Sequence, residues 1–209
     1  SSDLIVMFDA KSYDQMFFDQ ENQRHGFNIK YLEPKLDSES AAMAAGAEIV
    51  CVFVNDTVDA AAVDRLVAGG TRLLALRCAG YNNVDFHATF GRMHVVRVPE
   101  YSPYAVAEHA VALMMTLNRK THRAYSRVRE NNFSIKGLLG FDMRGRTAGV
   151  VGTGRIGRAL VDILLGFGMR VLAFDTRPDP ALAARPGFRY ATLDEIYAES
   201  DVISLHCPL

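Results

Sequence analysis

The segment Val150-Val151-Gly152-Thr153-Gly154-Arg155-Ile156-Gly157 restricts the fold more than any other stretch of this chain. Alone, the GxGxxG spacing is a weak signal. Here an apolar run, Thr147–Val151, precedes it, and Ile156, Ala159, Leu160, Ile163, Leu164 and Phe167 follow on one face at helical spacing. A strand, a glycine turn and an amphipathic helix in that order make a βα unit that presents main-chain amides to an anion. Gly152 permits the tight turn out of the strand, Gly154 lets a pyrophosphate approach the backbone, and Gly157 lets helix and strand pack closely. The amides and the positive end of the helix dipole then hold a doubly negative group without a basic patch. The next apolar run, Arg170–Phe174, ends at Asp175, where an acid accepts hydrogen bonds from adenosine ribose hydroxyls and repels a 2′-phosphate. This favours NAD over NADP, a preference that Arg177 softens. The competing reading is a glycine-rich turn that binds nothing.

Charge and composition narrow the alternatives. The 23 basic and 24 acidic residues nearly cancel among 209, so no broad field would hold nucleic acid or an anionic membrane surface. Anions must be bound locally. Cys51, Cys78 and Cys207 lie far apart with no CxxC pair, which argues against a disulfide framework and for the cytoplasm. The start, Ser1-Ser2-Asp3-Leu4, lacks the basic region and long apolar core of a secretory signal. The most apolar stretch, 105–117, contains Glu108 and His109 and is too short to span a bilayer. No HExxH or other metal-ligand spacing occurs, so no metal is expected.

Along the chain, strands are predicted at Leu4–Phe8, Phe27–Tyr31, Ile49–Val54, Leu73–Leu76 and Val95–Val98, with helices over 59–67 and 85–90. This alternation is that of a doubly wound parallel sheet. The prolines of Pro99-Glu100-Tyr101-Ser102-Pro103 then break the pattern, with Ser102 as a helix cap and Pro103 at the first helical position. One long helix is predicted from Pro103 to Glu130, apolar in its first half and basic in its second. Either a subunit interface or the centre of a monomer would bury its apolar end. A second βα series follows: strand 147–151, helix 155–167, strand 170–174, a proline-rich turn, helix 193–199 and strand 202–205. The expected fold class is α/β, with two domains over 1–100 and 101–209.

Longer strings carry a resemblance that spans essentially the whole chain. Arg77-Cys78-Ala79-Gly80-Tyr81-Asn82-Asn83-Val84-Asp85, Val98–Pro103, Ala105–Ala110, Gly152–Gly157 and Ser200–Leu209 resemble the D-2-hydroxyacid dehydrogenases. Within that family, Val52–Asp56 and Met114–Arg119 are most similar to the fermentative D-lactate dehydrogenases. The resemblance implies two doubly wound parallel-sheet domains, a flavodoxin-like substrate domain and a Rossmann NAD-binding domain, the latter incomplete in this chain. It implies hydride transfer between NADH and a small 2-oxo acid, pyruvate to D-lactate above all. The other readings are a non-catalytic NAD-binding interaction module and a dehydrogenase for another 2-hydroxy acid.

By the same resemblance, Ala79 and Gly80 present amides to the substrate carboxylate, with Tyr101 near that pocket. Without it, the string reads as an ordinary strand-to-helix turn capped by Asn83 or Asp85. The family places Val106 beside the nicotinamide, Arg155 and Ile156 at the pyrophosphate and Asp175 at the ribose. His206 also falls at the cofactor, and Cys207 and Pro208 follow it along the adenosine side. The family's catalytic arginine, glutamate and histidine fall beyond Leu209, so no catalytic residue is expected here, and the chain alone is expected to be inactive. The six histidines present do not replace that missing histidine, for none has a positioned partner in a matching string. A homodimer or higher homo-oligomer through the 103–130 helix is implied.

Overall fold

The structure, a computed structural model, describes residues 4–207. Pro208 and the polar start Ser1–Asp3, both drawn on above, lie outside them. The chain divides after Tyr101 into two compact units.

The first unit is a five-stranded, all-parallel sheet built from β1 (Leu4–Met7), β2 (Asn28–Tyr31), β3 (Ile49–Val52), β4 (Leu73–Leu76) and β5 (His94–Arg97), in the order β2-β1-β3-β4-β5. Four of these are shorter or shifted relative to the predicted strands. Alternation explains the core: Val6 and Phe8 enter one cluster with Val50, Val52 and Leu74, while Met7 and Cys51 enter another on the opposite face. The helices are α1 (Ser12–Asn22), α2 (Ala60–Ala68) and α3 (Phe86–Thr89), with a 3-10 helix at Ser40–Ala44. Asp59 and Asp85, predicted as first helical residues, are instead the caps: their carboxylates accept from the amides of Ala62 and Ala88. Helix α1 was not expected, because its large apolar residues Tyr13, Met16 and Phe17 are exposed and its buried residue is Asp14.

The second unit carries β6 (Thr147–Val151), β7 (Arg170–Phe174), β8 (Phe188–Tyr190) and β9 (Val202–Leu205), all parallel, in the order β8-β7-β6-β9. The predicted long helix is corrected to two, α4 (Pro103–Arg119) and α5 (Thr121–Arg129). Lys120 between them is left-handed, with φ 50° and ψ 36°. Bonds from a later segment hold this break: Asn118 exchanges two side-chain bonds with the Phe141 main chain, and Lys120 Nζ donates to Leu139 O at 2.6 Å. Ser102 occupies the cap position without a side-chain bond, and Pro103 opens the helix. Ala107 is the fully buried residue of α4, whereas Leu113 and Leu117 are exposed, so the apolar half is less buried than its composition suggests.

Helix α6 (Arg155–Gly166) packs on α4 and on the sheet. Ala159, Leu160 and Leu164 are buried as the periodicity requires, and Val161, off the predicted face, is buried too. Phe167 lies just past the helix end as its C-cap. The proline-rich turn contains α7 (Pro180–Ala183), capped by Asp179, and leads into β8, which was not predicted. Helix α8 (Leu193–Glu199) begins with a reciprocal capping box between Thr192 and Glu195.

Candidate active site

In the second unit, the strand ends of β6, β7 and β9 open on a crevice of about 350 Å³ lined by Val151, Gly152, Gly154, Asp175, His206 and Cys207, with Phe174 and Thr176. Its position at the carboxyl ends of parallel strands is where open α/β sheets bind ligands. The three glycines meet three different constraints. Gly152 has φ +94°, and a Cβ there would lie 2.6 Å from His206 O. A Cβ on Gly157 would overlap the Gly152 carbonyl, so α6 and the turn after β6 approach at backbone distance. A Cβ on Gly154 would meet nothing within 4 Å. Gly154 is the N-cap of α6 and has no side chain to close its first turn, so this end of the helix faces open space.

Asp175, at the end of β7, does more than face that space. Its Oδ2 accepts from Thr153 N at 2.6 Å and from Thr153 Oγ1 at 2.9 Å, and its Oδ1 accepts from Arg177 N at 2.9 Å. The Arg177 amide, then the Thr153 amide and hydroxyl, hold the carboxyl below its ordinary range. Thr153, 3% exposed, is thereby fixed in the middle of the glycine turn. Because its hydroxyl donates to Asp175, it accepts from Tyr190 Oη at 3.1 Å, and Tyr190 Oη accepts from Asp179 N at 2.9 Å. Arg158 adds a bond from Nε to Thr153 O and an ion pair to Asp179 at 2.6 Å. Neither Thr153 nor Tyr190 nor Arg158 was singled out from sequence. Tyr190 stands on β8, whose three residues carry no legible period.

His206 follows β9, with its amide on Val151 O and Nε2 2.8 Å from Ser204 Oγ. Burial lowers its pKa, which favours the neutral ring. Cys207 is exposed at the crevice edge, and Val106 lies half-buried on α4 outside the crevice lining.

In the first unit, the predicted carboxylate turn leaves the end of β4. Ala79 is half-buried and Gly80 exposed, and a Cβ on Gly80 would meet nothing within 4 Å. Cys78 Sγ donates to Gly80 O at 3.3 Å. Arg77, quoted in the sequence string but given no role there, locks the strand ends: it donates to Phe8 O at 3.0 Å and Asp9 O at 2.8 Å and lies 4.9 Å from the Phe53 ring centroid. Asp14 sits 3.4 Å from its Nε, which explains a buried acid on α1. The ordinary turn chemistry is present as well, since Asn83 donates to Phe53 O and Asp56 O and Asp85 caps α3. Tyr101 is exposed.

Among the described residues, no group of three His, Cys, Asp or Glu side chains is placed to hold a metal ion. None of their helices is long and apolar enough to cross a membrane. Cys51 and Cys78 are buried, and burial pushes the Cys51 thiol up to about 11, so it stays protonated at neutral pH.

The chain matches known proteins over nearly its whole length. Residues 111–209 match the family model for the D-isomer specific 2-hydroxyacid dehydrogenase NAD binding domain. The D-lactate dehydrogenase of Escherichia coli is 50% identical over 207 residues, 98% of this chain and 62% of that protein. Its apo-structure superposes with a TM-score of 0.92 at 50% identity, covering 99% of this chain and 65% of the other. A Chlamydomonas reinhardtii structure described as a pyruvate reductase gives a TM-score of 0.91 at 44% identity, covering all of this chain and 62% of the other. The chain thus spans about 62% of the length of the curated relatives it matches.

Proposed function

With residues 111–209 belonging to the NAD binding domain of the D-isomer specific 2-hydroxyacid dehydrogenases, we propose that the whole protein interconverts pyruvate and D-lactate with NADH. The observation that carries this reading is the glycine turn anchored by Asp175 at the mouth of a crevice on the strand ends. NADH, when bound, supplies the hydride. The chain's own residues bind and orient. Arg155 and Ile156, opening α6 behind the side-chain-free cap Gly154, take the pyrophosphate, for which Gly152 and Gly157 keep the turn close to the helix. Asp175 takes the adenosine ribose and disfavours a 2′-phosphate. His206 and Cys207, with Pro208 after them, border the adenosine side, and Val106 the nicotinamide.

Residues 1–100 form the substrate domain in this reading and 101–209 the cofactor domain. The amides of Ala79 and Gly80 receive the 2-oxo acid carboxylate, with Tyr101 beside them. Reduction also needs a cation to polarise the carbonyl and an acid to protonate the new alkoxide. We assign these to an arginine, a glutamate and a histidine in the part of the relatives' length that this chain does not span. The reaction requires no metal, and the cytoplasm supplies both NADH and pyruvate.

The test has two arms. Residues 1–209 are expected to bind NADH in a fluorescence titration, more tightly than NADPH, and the natural protein containing them is expected to oxidise NADH with pyruvate and release the D-isomer. No NADH binding, or oxidation no faster with pyruvate than without it, would reject the proposal.

The same reading makes the protein a homodimer or higher homo-oligomer through α4 and α5. Leu113, Leu117, Tyr125 and Val128 form an apolar exposure on these helices, which association would remove from water. Sedimentation of the natural protein is expected to give at least a dimer, and Leu117→Glu with Val128→Glu to shift it to monomer. A wild-type monomer at micromolar concentration would reject the interface.

A further inference from the structure

We propose that Arg97 is a positioning residue for the substrate carboxylate, setting the direction and strength of the Gly80 amide. This rests on the assignment of Ala79 and Gly80 to that carboxylate. Arg97 ends β5, the edge strand of the first unit, and its side chain turns back across the end of β4. Its Nη1 donates to Ala79 O at 2.9 Å and lies 3.3 Å from Pro99 O and 3.4 Å from Val98 O. The guanidinium also sits 5.3 Å from the centroid of the Tyr81 ring. One cation therefore joins the turn after β4 to the Val98-Pro99 segment that leads to Tyr101.

The Ala79 carbonyl and the Gly80 N–H belong to the same trans peptide, so they point in opposite directions. With the carbonyl held on Arg97, the Gly80 N–H is directed away from the guanidinium. The next peptide is held in the same way, for Cys78 Sγ donates to Gly80 O. Among the described residues no acceptor meets the amides of Ala79 or Gly80. The space beside Gly80 is open to an incoming group. A cation on the carbonyl draws electron density through the peptide and makes its N–H a stronger donor. Arg97 thus supplies positive character to a carboxylate without touching it. Lysine does not reproduce this, because a single ammonium on a flexible stem lacks the planar fork and the stacking on Tyr81.

Kinetics of the natural protein with pyruvate and with methyl pyruvate, which has no carboxylate, test the proposal. Arg97→Ala is expected to lower kcat/KM for pyruvate about tenfold, mostly through KM, the scale of one charge-assisted bond. With methyl pyruvate and with NADH as the varied substrate, kcat/KM should stay at the wild-type value. Arg97→Lys should recover part of the loss. An equal loss for both keto compounds would mean that Arg97 merely stabilises the fold, and an unchanged KM for pyruvate would exclude any role; either result overturns the proposal. A wild-type protein that ignores pyruvate would overturn it together with the function assigned above, and is recognised because the variants are then not needed.

Discussion

Gly157→Ala is expected to abolish NADH binding and to lower the stability of the second unit by about 3 kcal/mol or more. The added methyl would overlap the Gly152 carbonyl oxygen, with Gly152 C at 3.0 Å. Both neighbours are main chain, so no rotamer change can relieve the overlap. Relief requires α6 to move off the turn, which separates its first turn from the strand and opens contacts around Leu160 and Leu164, both 0% exposed. Gly154→Ala is the matched control, because its methyl meets nothing within 4 Å. That variant should melt near wild type and yet bind NADH poorly, since the methyl occupies the space the pyrophosphate needs. Thermal unfolding with a parallel NADH titration measures both. A Gly157→Ala protein that melts like wild type would show that helix and turn are not in contact.

Asp175→Ala should weaken NADH binding roughly 100-fold, more than loss of ribose contacts alone predicts. Removal of the carboxylate strands the amide of Thr153, which is 3% exposed, and an unsatisfied buried donor costs about 1–3 kcal/mol, while the Thr153 hydroxyl keeps Tyr190 Oη as its partner. The glycine turn then loosens as well as losing its ribose acceptor. The preference for NADH over NADPH should narrow at the same time, and a binding titration with both cofactors that finds selectivity unchanged would count against the ribose role. The acid dependence has a definite sign. A carboxyl whose folded pKa is lowered stabilises the fold above its unfolded value of 3.8, and that contribution disappears as the pH falls through the folded value.

Periodicity made most of the cofactor unit legible. Strands 147–151, 170–174 and 202–205 and helix 193–199 stand where the apolar runs put them, because buried parallel strands are continuous in hydrophobicity and bounded by turn residues. The glycine spacing located the crevice, and Asp175, His206 and Cys207 all line it. Helix α1 escaped notice for a physical reason: it is stabilised by Asp14, whose carboxylate accepts from the Lys11 amide at 2.9 Å and pairs with Arg77, and neither contact leaves a hydrophobic repeat. The break at Lys120 was equally hidden. A lysine is an unexpected residue for a left-handed position, and the bonds that hold it there come from Leu139 and Phe141, about 20 residues away. Likewise, Arg77 and Arg97 act on carbonyls from other strands, and nothing in their local sequence indicates which carbonyls those are.

The chain of bonds from Asp179 through Tyr190 and Thr153 to Asp175 limits how coenzyme choice can change. In a site where the acid met only the ribose, one exchange for a small or basic residue would admit the phosphorylated coenzyme. Here that exchange also removes the anchor of the turn, so a switch of coenzyme calls for a second, compensating residue that offers Thr153 a new acceptor. With Asp175 in the proposed ribose role, the route between the two specificities passes through a weakened intermediate, which would make a preference for NAD self-preserving in this scaffold.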